Sequence, residues 1–163
     1  DAAVAIAEYI SGDVDSFAAL MNQEAAAMGA TRSHFVNPNG LPDENHYTCV
    51  YDMYLIFSNA IKNDTFVSII GTTSYDVTYT DASGEAVTHT WENTNQYLTG
   101  NATTPDGFQI VGGKTGTTGE AGYCLVLYSY NPSGQPIISI VFKADGKSNL
   151  YLLMNEMLQG FAI

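Results

Sequence analysis

The most informative segment of the sequence reads Gly112-Gly113-Lys114-Thr115-Gly116-Thr117-Thr118-Gly119. It places one of only five basic residues among small side chains that leave the backbone accessible. The segment continues a predicted strand over residues 109–115, and a second predicted strand over 123–130 comes after a turn. We therefore expect Lys114 to lie on a strand that pairs with an antiparallel neighbour.

A lysine among glycines also suggests a phosphate-binding loop of the form G-x-x-x-x-G-K-[ST]. The pattern fails by position, because its first glycine would fall on Phe108 and Gly107 is out of register by one residue. Such a loop also opens a helix, whereas a strand is predicted after Lys114. Nucleotide binding would require a helix at this point, and the sequence disfavours it.

Helical patterns precede this pair of strands. Gly29 is a natural stop for a helix that Asp13 or Asp15 can cap. Helices are predicted over residues 1–9, from that cap to Gly29, from Thr48 onward, over 65–70 and over 147–161. A hairpin is predicted over 74–80 and 87–91. A further strand is predicted over 136–142. Helices followed by antiparallel strands and a terminal helix favour an α+β fold. A length of 163 residues fits one domain or a large piece of one.

Composition excludes several classes of protein. Apolar residues make up 45% of the chain, which is enough for a buried core, and no apolar run approaches the length of a membrane span. The formal net charge of −12 disfavours nucleic-acid binding, which depends on Lys and Arg. The isolated histidines show no metal-ligand spacing, and no metal or other cofactor is expected. Whether Cys49 and Cys124 form a disulfide stays open.

Four segments together resemble one family. They are Phe35-Val36-Asn37-Pro38-Asn39-Gly40-Leu41-Pro42-Asp43; Asn45-His46-Tyr47-Thr48 with Asp52-Met53; Asn93-Thr94-Asn95-Gln96-Tyr97-Leu98; and Gly113-Lys114-Thr115-Gly116-Thr117-Thr118 with Ala121-Gly122-Tyr123-Cys124-Leu125. In order and approximate spacing they are similar to the low-molecular-mass penicillin-binding D-alanyl-D-alanine carboxypeptidases. The resemblance implies the penicillin-binding-protein and β-lactamase transpeptidase-like fold, an antiparallel sheet flanked by helices.

The resemblance also implies a chemistry. A serine in an S-x-x-K motif attacks the terminal D-Ala-D-Ala bond of a peptidoglycan stem peptide, and water releases the acyl-enzyme. By position, Lys114 would supply a positive field and help to bind the substrate carboxylate, and Thr115 would hydrogen-bond that carboxylate. Gly116 would permit close approach, and the Thr117 N–H would be one oxyanion donor. β-Lactams would be ligands, and the location would be extracytoplasmic.

The nucleophile of this family is missing from the sequence. No serine has a lysine three residues later, since Ser58 and Lys62 are one residue too far apart. We also expect no S-x-N triplet in the sequence. The segment from Asp1 to Glu8 resembles the stretch directly after that motif in the family, so the sequence is expected to begin just after it. Residues 1–163 are therefore predicted to be the C-terminal part of a carboxypeptidase domain, without its N-terminal strands and nucleophile helix.

Two consequences of this interpretation are expected. The chain alone would be inactive, and it would cover its unpartnered apolar surfaces by self-association. The alternative is a non-catalytic peptidoglycan-binding or interaction module that kept the substrate-recognising wall of the fold.

Overall fold

The computed structural model describes residues 1–160 and 162 of the chain. Five helices and five strands occur in these residues, in the order α1 (Ala2–Ser11), α2 (Val14–Ala27), α3 (Val50–Ala60), α4 (Asp64–Gly71), β1 (Ser74–Thr80), β2 (Ala86–Glu92), β3 (Gln109–Thr118), β4 (Gly122–Tyr130), β5 (Pro136–Ala144) and α5 (Lys147–Gly160). This order confirms the predicted α+β fold. Phe161, the last residue of the final predicted helix, lies outside the described residues.

The helical half begins and ends where its capping residues predict. Asp13 caps α2, and its carboxylate accepts a hydrogen bond from the backbone N–H of Ser16 at 2.7 Å. Gly29 follows the helix with φ of 85°, a conformation that suits glycine. Asn63 caps α4 by accepting from the N–H groups of Thr65 and Phe66. No helix in residues 1–160 is long and apolar enough to cross a membrane.

The described strands form two antiparallel sheets. The β1–β2 hairpin is a sheet of its own, and β3, β4 and β5 form a three-stranded sheet with β4 in the centre. In the larger sheet Lys114 of β3 lies opposite Val126 of β4. Lys114 is thus on an outer strand that pairs with an antiparallel neighbour, as the sequence predicts.

Helices cover both faces of the three-stranded sheet. On one face Leu125 and Leu127 pack with side chains of α5, among them Met154 and Leu158, and all four are fully buried. On the other face Val126 packs with residues of α3 and α4. Each buried aliphatic side chain contributes roughly 1.5–3 kcal/mol to folding, so this sandwich of helix, sheet and helix fixes the position of β3.

The beginning of β3 lies directly against α4. A Cβ atom on Gly112 would come within 2.6 Å of the backbone of Ile70, and one on Gly71 within 2.7 Å of the Val111 carbonyl oxygen. A Cβ atom on Gly113 would lie 2.4 Å from the carbonyl oxygen of Val126. These glycines let backbone approach backbone, and they hold the adjoining Lys114 in a fixed place.

Candidate active site

The predicted site residues lie together in one cleft. Lys114, Thr115, Gly116 and Thr117 line a cavity of about 740 Å³ between β3 and the loop that precedes α3. The Lys114 ammonium donates a hydrogen bond to the carbonyl oxygen of Thr115. Desolvation by surrounding protein atoms lowers the pKa of Lys114.

Gly116 differs from the glycines at the start of the strand. Beyond Gly116 and its two chain neighbours, no described heavy atom lies within 4 Å of the position that a Cβ would take at Gly116, whereas Gly112 and Gly113 are tightly enclosed. The backbone beside Gly116 is therefore open to a ligand that approaches the strand.

A threonine outside the K-T-G sequence positions Thr115. The hydroxyl groups of Thr94 and Thr115 are 2.5 Å apart, within hydrogen-bond distance. Thr94 is held by its neighbours, because Asn93 accepts from the Asn95 N–H at 2.9 Å and donates to the Thr72 carbonyl at 2.8 Å. Sequence patterns placed Thr94 in a family-like segment but did not indicate this contact.

A second lysine lines the cleft, and sequence reasoning missed it. Lys147, the first residue of α5, shares the cavity with Lys114. No Asp or Glu occurs among the described residues that line this cavity, although acidic residues outnumber basic ones 17 to 5 in the whole chain. An electropositive cleft in an acidic protein favours a ligand with a negative charge, such as a carboxylate.

The opposite wall of the cleft is a loop with its own hydrogen-bond network. Asn37 donates to the Leu41 carbonyl at 2.9 Å and accepts from the Gly40 N–H at 2.8 Å, while Gly40 has φ of 76°. His46 accepts from the Val36 N–H at 3.1 Å. Burial lowers the pKa of His46, which favours the neutral ring that this bond requires.

A buried carboxylate ties this loop to α3. Asp52 accepts hydrogen bonds from the Arg32 N–H at 2.6 Å and from the Ser33 hydroxyl at 2.8 Å. Burial opposes the ionisation of Asp52, but these hydrogen bonds outweigh it and hold the pKa of Asp52 below its ordinary value.

Comparison with known proteins decides the family. Residues 1–146 match the family model described as D-alanyl-D-alanine carboxypeptidase. The chain belongs to this family. The segments that resembled it in the sequence are the segments that build the two walls of the cleft.

The curated relatives are longer than residues 1–163. The D-alanyl-D-alanine carboxypeptidase DacF of Bacillus subtilis is 34% identical over 97% of this chain, which corresponds to 38% of the relative. The carboxypeptidase of Streptomyces sp. strain K15 is 32% identical over 100% of this chain and 56% of the relative. The chain thus spans between about two fifths and just over half of these relatives.

Solved structures agree with the fold. A mutant of the Streptomyces K15 DD-transpeptidase superposes with a TM-score of 0.81 at 30% identity, covering 92% of this chain and 56% of that one. The carboxypeptidase DacD of Francisella tularensis has a TM-score of 0.80 at 25% identity, covering 97% and 47%. The predicted penicillin-binding-protein fold is therefore confirmed.

The prediction that the sequence contains no S-x-N triplet is wrong. Ser129-Tyr130-Asn131 has these letters. The triplet lies at the end of β4, where Ser129 is fully buried opposite Ile110 and Asn131 closes the turn with Gln135. None of its residues lines the cleft that holds Lys114, so its place in the fold gives it a structural role in a strand end and turn.

Metal ligands and a disulfide find no support in the described part of the chain. No group of three His, Cys, Asp or Glu side chains occurs there with an arrangement for a metal ion. Cys49 precedes α3 and Cys124 lies on β4, and both are free thiols.

Proposed function

We propose that this chain forms the K-T-G side of the substrate cleft of a serine D-alanyl-D-alanine carboxypeptidase. The observation that carries the proposal is the cleft itself, whose described lining residues include two lysines and no acidic residue. The substrate class is the peptidoglycan stem peptide that ends in D-Ala-D-Ala, and β-lactams occupy the same place. Such a substrate places the protein outside the cytoplasmic membrane.

The roles of the residues derive from their positions. The terminal carboxylate of the peptide is attracted by Lys114 and accepts a hydrogen bond from the Thr115 hydroxyl, which Thr94 orients. Gly116 leaves space for the peptide backbone to lie alongside β3 as an added strand. The Thr117 N–H then faces the carbonyl oxygen that becomes negatively charged when the bond is attacked.

The attacking group is supplied by chain outside these residues. A serine oxygen adds to the carbonyl carbon of the penultimate D-Ala, the terminal D-Ala leaves with a proton, and water later hydrolyses the acyl ester. No serine in the sequence is followed by lysine at the third position. We therefore propose that residues 1–163 alone bind but do not hydrolyse the substrate.

Covalent labelling with a fluorescent penicillin tests this proposal. We expect no labelling of residues 1–163 and labelling of a form extended to the full open reading frame. Labelling of neither form would favour the alternative, a non-catalytic peptidoglycan-binding module. Labelling of the short chain would mean that the nucleophile lies within these residues, and it would contradict the proposal.

The short chain also carries apolar surface for self-association. An apolar groove of about 400 Å³ lies between α2 and α3, and Ile6, Tyr9 and Ile10 of α1 are largely exposed. We propose that residues 1–163 associate with one another through these surfaces. Light scattering checks this, and a monomer at all concentrations tested would contradict it.

A further inference from the structure

The β1–β2 hairpin carries an exposed aromatic face that the cleft does not use. Register and alternation place Tyr75, Val77 and Tyr79 of β1 on the same face as Val87, His89 and Trp91 of β2. The side chains of Tyr75, Tyr79 and Trp91 are 61%, 48% and 55% exposed. Large aromatic rings that are exposed to solvent on one face of a hairpin form a candidate binding surface.

A groove lies at the base of this face. It has a volume of about 580 Å³ between the end of α4 and the hairpin, and Ile69, Tyr75 and Trp91 are its exposed apolar walls. Its polar lining includes Glu92 and Asn93. The amide of Asn93 is fixed by its bond to the Thr72 carbonyl at 2.8 Å, so this lining is pre-formed.

The charge around the groove selects against anionic partners. No Lys or Arg occurs between Lys62 and Lys114 in the sequence, whereas the hairpin and its turn carry Asp76, Asp81, Glu85 and Glu92. Nucleic acid, anionic lipid and acidic peptides are repelled by such a surface. An uncharged ligand with one apolar face and many hydroxyl groups suits two neighbouring aromatic rings beside a fixed amide.

We propose that this groove binds sugar rings of an uncharged, β-1,4-linked N-acetylated glycan strand. The C–H face of a pyranose ring packs on an aromatic ring, and its equatorial hydroxyl or acetamido groups hydrogen-bond to the amide of Asn93. The identity of the glycan rests on the proposed function, since the stem peptide is attached to such a strand. Asn93 lines the groove and the next residue, Thr94, lines the cleft, so one polymer contacts both.

Trp91 is the single tryptophan of the chain, and it reports binding directly. Titration of residues 1–163 with tetra-N-acetylchitotetraose is expected to give a saturable change in tryptophan emission, and maltotetraose is expected to give none. Tyr75→Ala and, separately, Ile69→Gln each remove one wall and are expected to weaken binding about five- to tenfold. Tyr51→Ala removes a similarly exposed tyrosine of α3 (64%), outside the groove, and is expected to leave binding unchanged.

Circular dichroism verifies that each variant keeps its fold. Two wall variants are used so that the test still gives an answer if one of them fails to fold. No saturable change with the N-acetylated glycan, an equal response to maltotetraose, or equal affinity in the wall variants and Tyr51→Ala would overturn the proposal. Loss of self-association in Tyr75→Ala without glycan binding would assign the face to a protein contact and would also overturn it.

Fluorescent penicillin separates this proposal from the proposed function. Tyr75→Ala in the full-length protein is expected to label as well as the unaltered protein does. Labelling without glycan binding would refute the groove and leave the carboxypeptidase intact. Glycan binding without labelling would support the groove and move the protein to the non-catalytic module.

Discussion

The two ends of β3 contain glycines for opposite reasons. At the beginning of the strand, Gly112 and Gly113 are enclosed by backbone atoms of α4 and β4, with less than 3 Å to the nearest atom from an added Cβ. At the end, Gly116 faces empty space. The first pair of glycines allows the protein to pack against itself, and the last leaves room for something else. One strand therefore anchors the fold at one end and presents the cleft at the other.

The largest effect is expected at the enclosed end. Gly113→Ala forces a methyl group against the carbonyl oxygen of Val126, which belongs to the central strand of the sheet. We expect the free energy of unfolding to fall by about 3 kcal/mol. Urea denaturation followed by circular dichroism measures it. Stability equal to that of the unaltered chain would show that the strand start is looser than described.

A smaller effect is expected on the opposite wall of the cleft. Asp52 holds this loop through the Arg32 N–H and the Ser33 hydroxyl, and its pKa is below the ordinary value. A lowered pKa in the folded state means that the carboxylate stabilises the fold above the unfolded pKa of about 3.9 and loses this effect as pH falls through the folded pKa.

Asp52→Asn tests this anchor. The variant is expected to be less stable than the unaltered chain at pH 7 and to lose less stability on acidification below about pH 4. Thermal unfolding over a pH series gives both results, and Asp15→Asn, which changes an exposed acid of α2, is the matched control. Parallel pH curves for Asp52→Asn and the unaltered chain would contradict the assignment.

The smallest effect on stability is expected at the open end. Gly116→Ala adds a methyl group that meets no described heavy atom within 4 Å beyond its own chain neighbours. The free energy of unfolding should change by no more than about 0.5 kcal/mol, as is usual for surface substitutions. Measured beside Gly113→Ala in the same denaturation series, it shows directly whether the two ends of β3 differ. Equal destabilisation by both substitutions would refute the comparison.

Most helices and strands could be predicted from the sequence because capping residues, turn residues and side-chain alternation lie within the elements or next to them. Asp13 caps the start of α2, and Gly29 ends the helix with a positive φ. The alternation of side chains along the sequence predicted the β1–β2 hairpin. The prediction ended the third strand at Thr115. Pairing with β4 extends it to Thr118, because antiparallel partners continue as far as Gly122.

Contacts in the site between residues far apart in the sequence could not be predicted from the sequence, because they form only when the helices and strands pack together. Thr94 reaches Thr115 across 21 residues, and Lys147 reaches the cleft only because α5 packs on the sheet. Neither the spacing of Thr94 and Thr115 nor that of Lys114 and Lys147 in the sequence indicates a contact. The S-x-N triplet that begins at Ser129 shows the opposite case. Its sequence matches the motif, but Ser129 is buried at a strand end and does not line the cleft.

The proposed function requires that a peptide lies along the open end of β3, and the acylation rate of the full-length protein tests this position most directly. The second-order rate of labelling by fluorescent penicillin is compared for the unaltered protein, Gly116→Val and the control Gly119→Val. The Cβ position of Gly119 is also unobstructed, but Gly119 does not line the cleft. We expect Gly116→Val to reduce the rate at least about tenfold, equivalent to about 1.4 kcal/mol in the transition state, with unchanged circular dichroism. An unaltered rate in Gly116→Val would contradict the claim, because the ligand would then lie elsewhere.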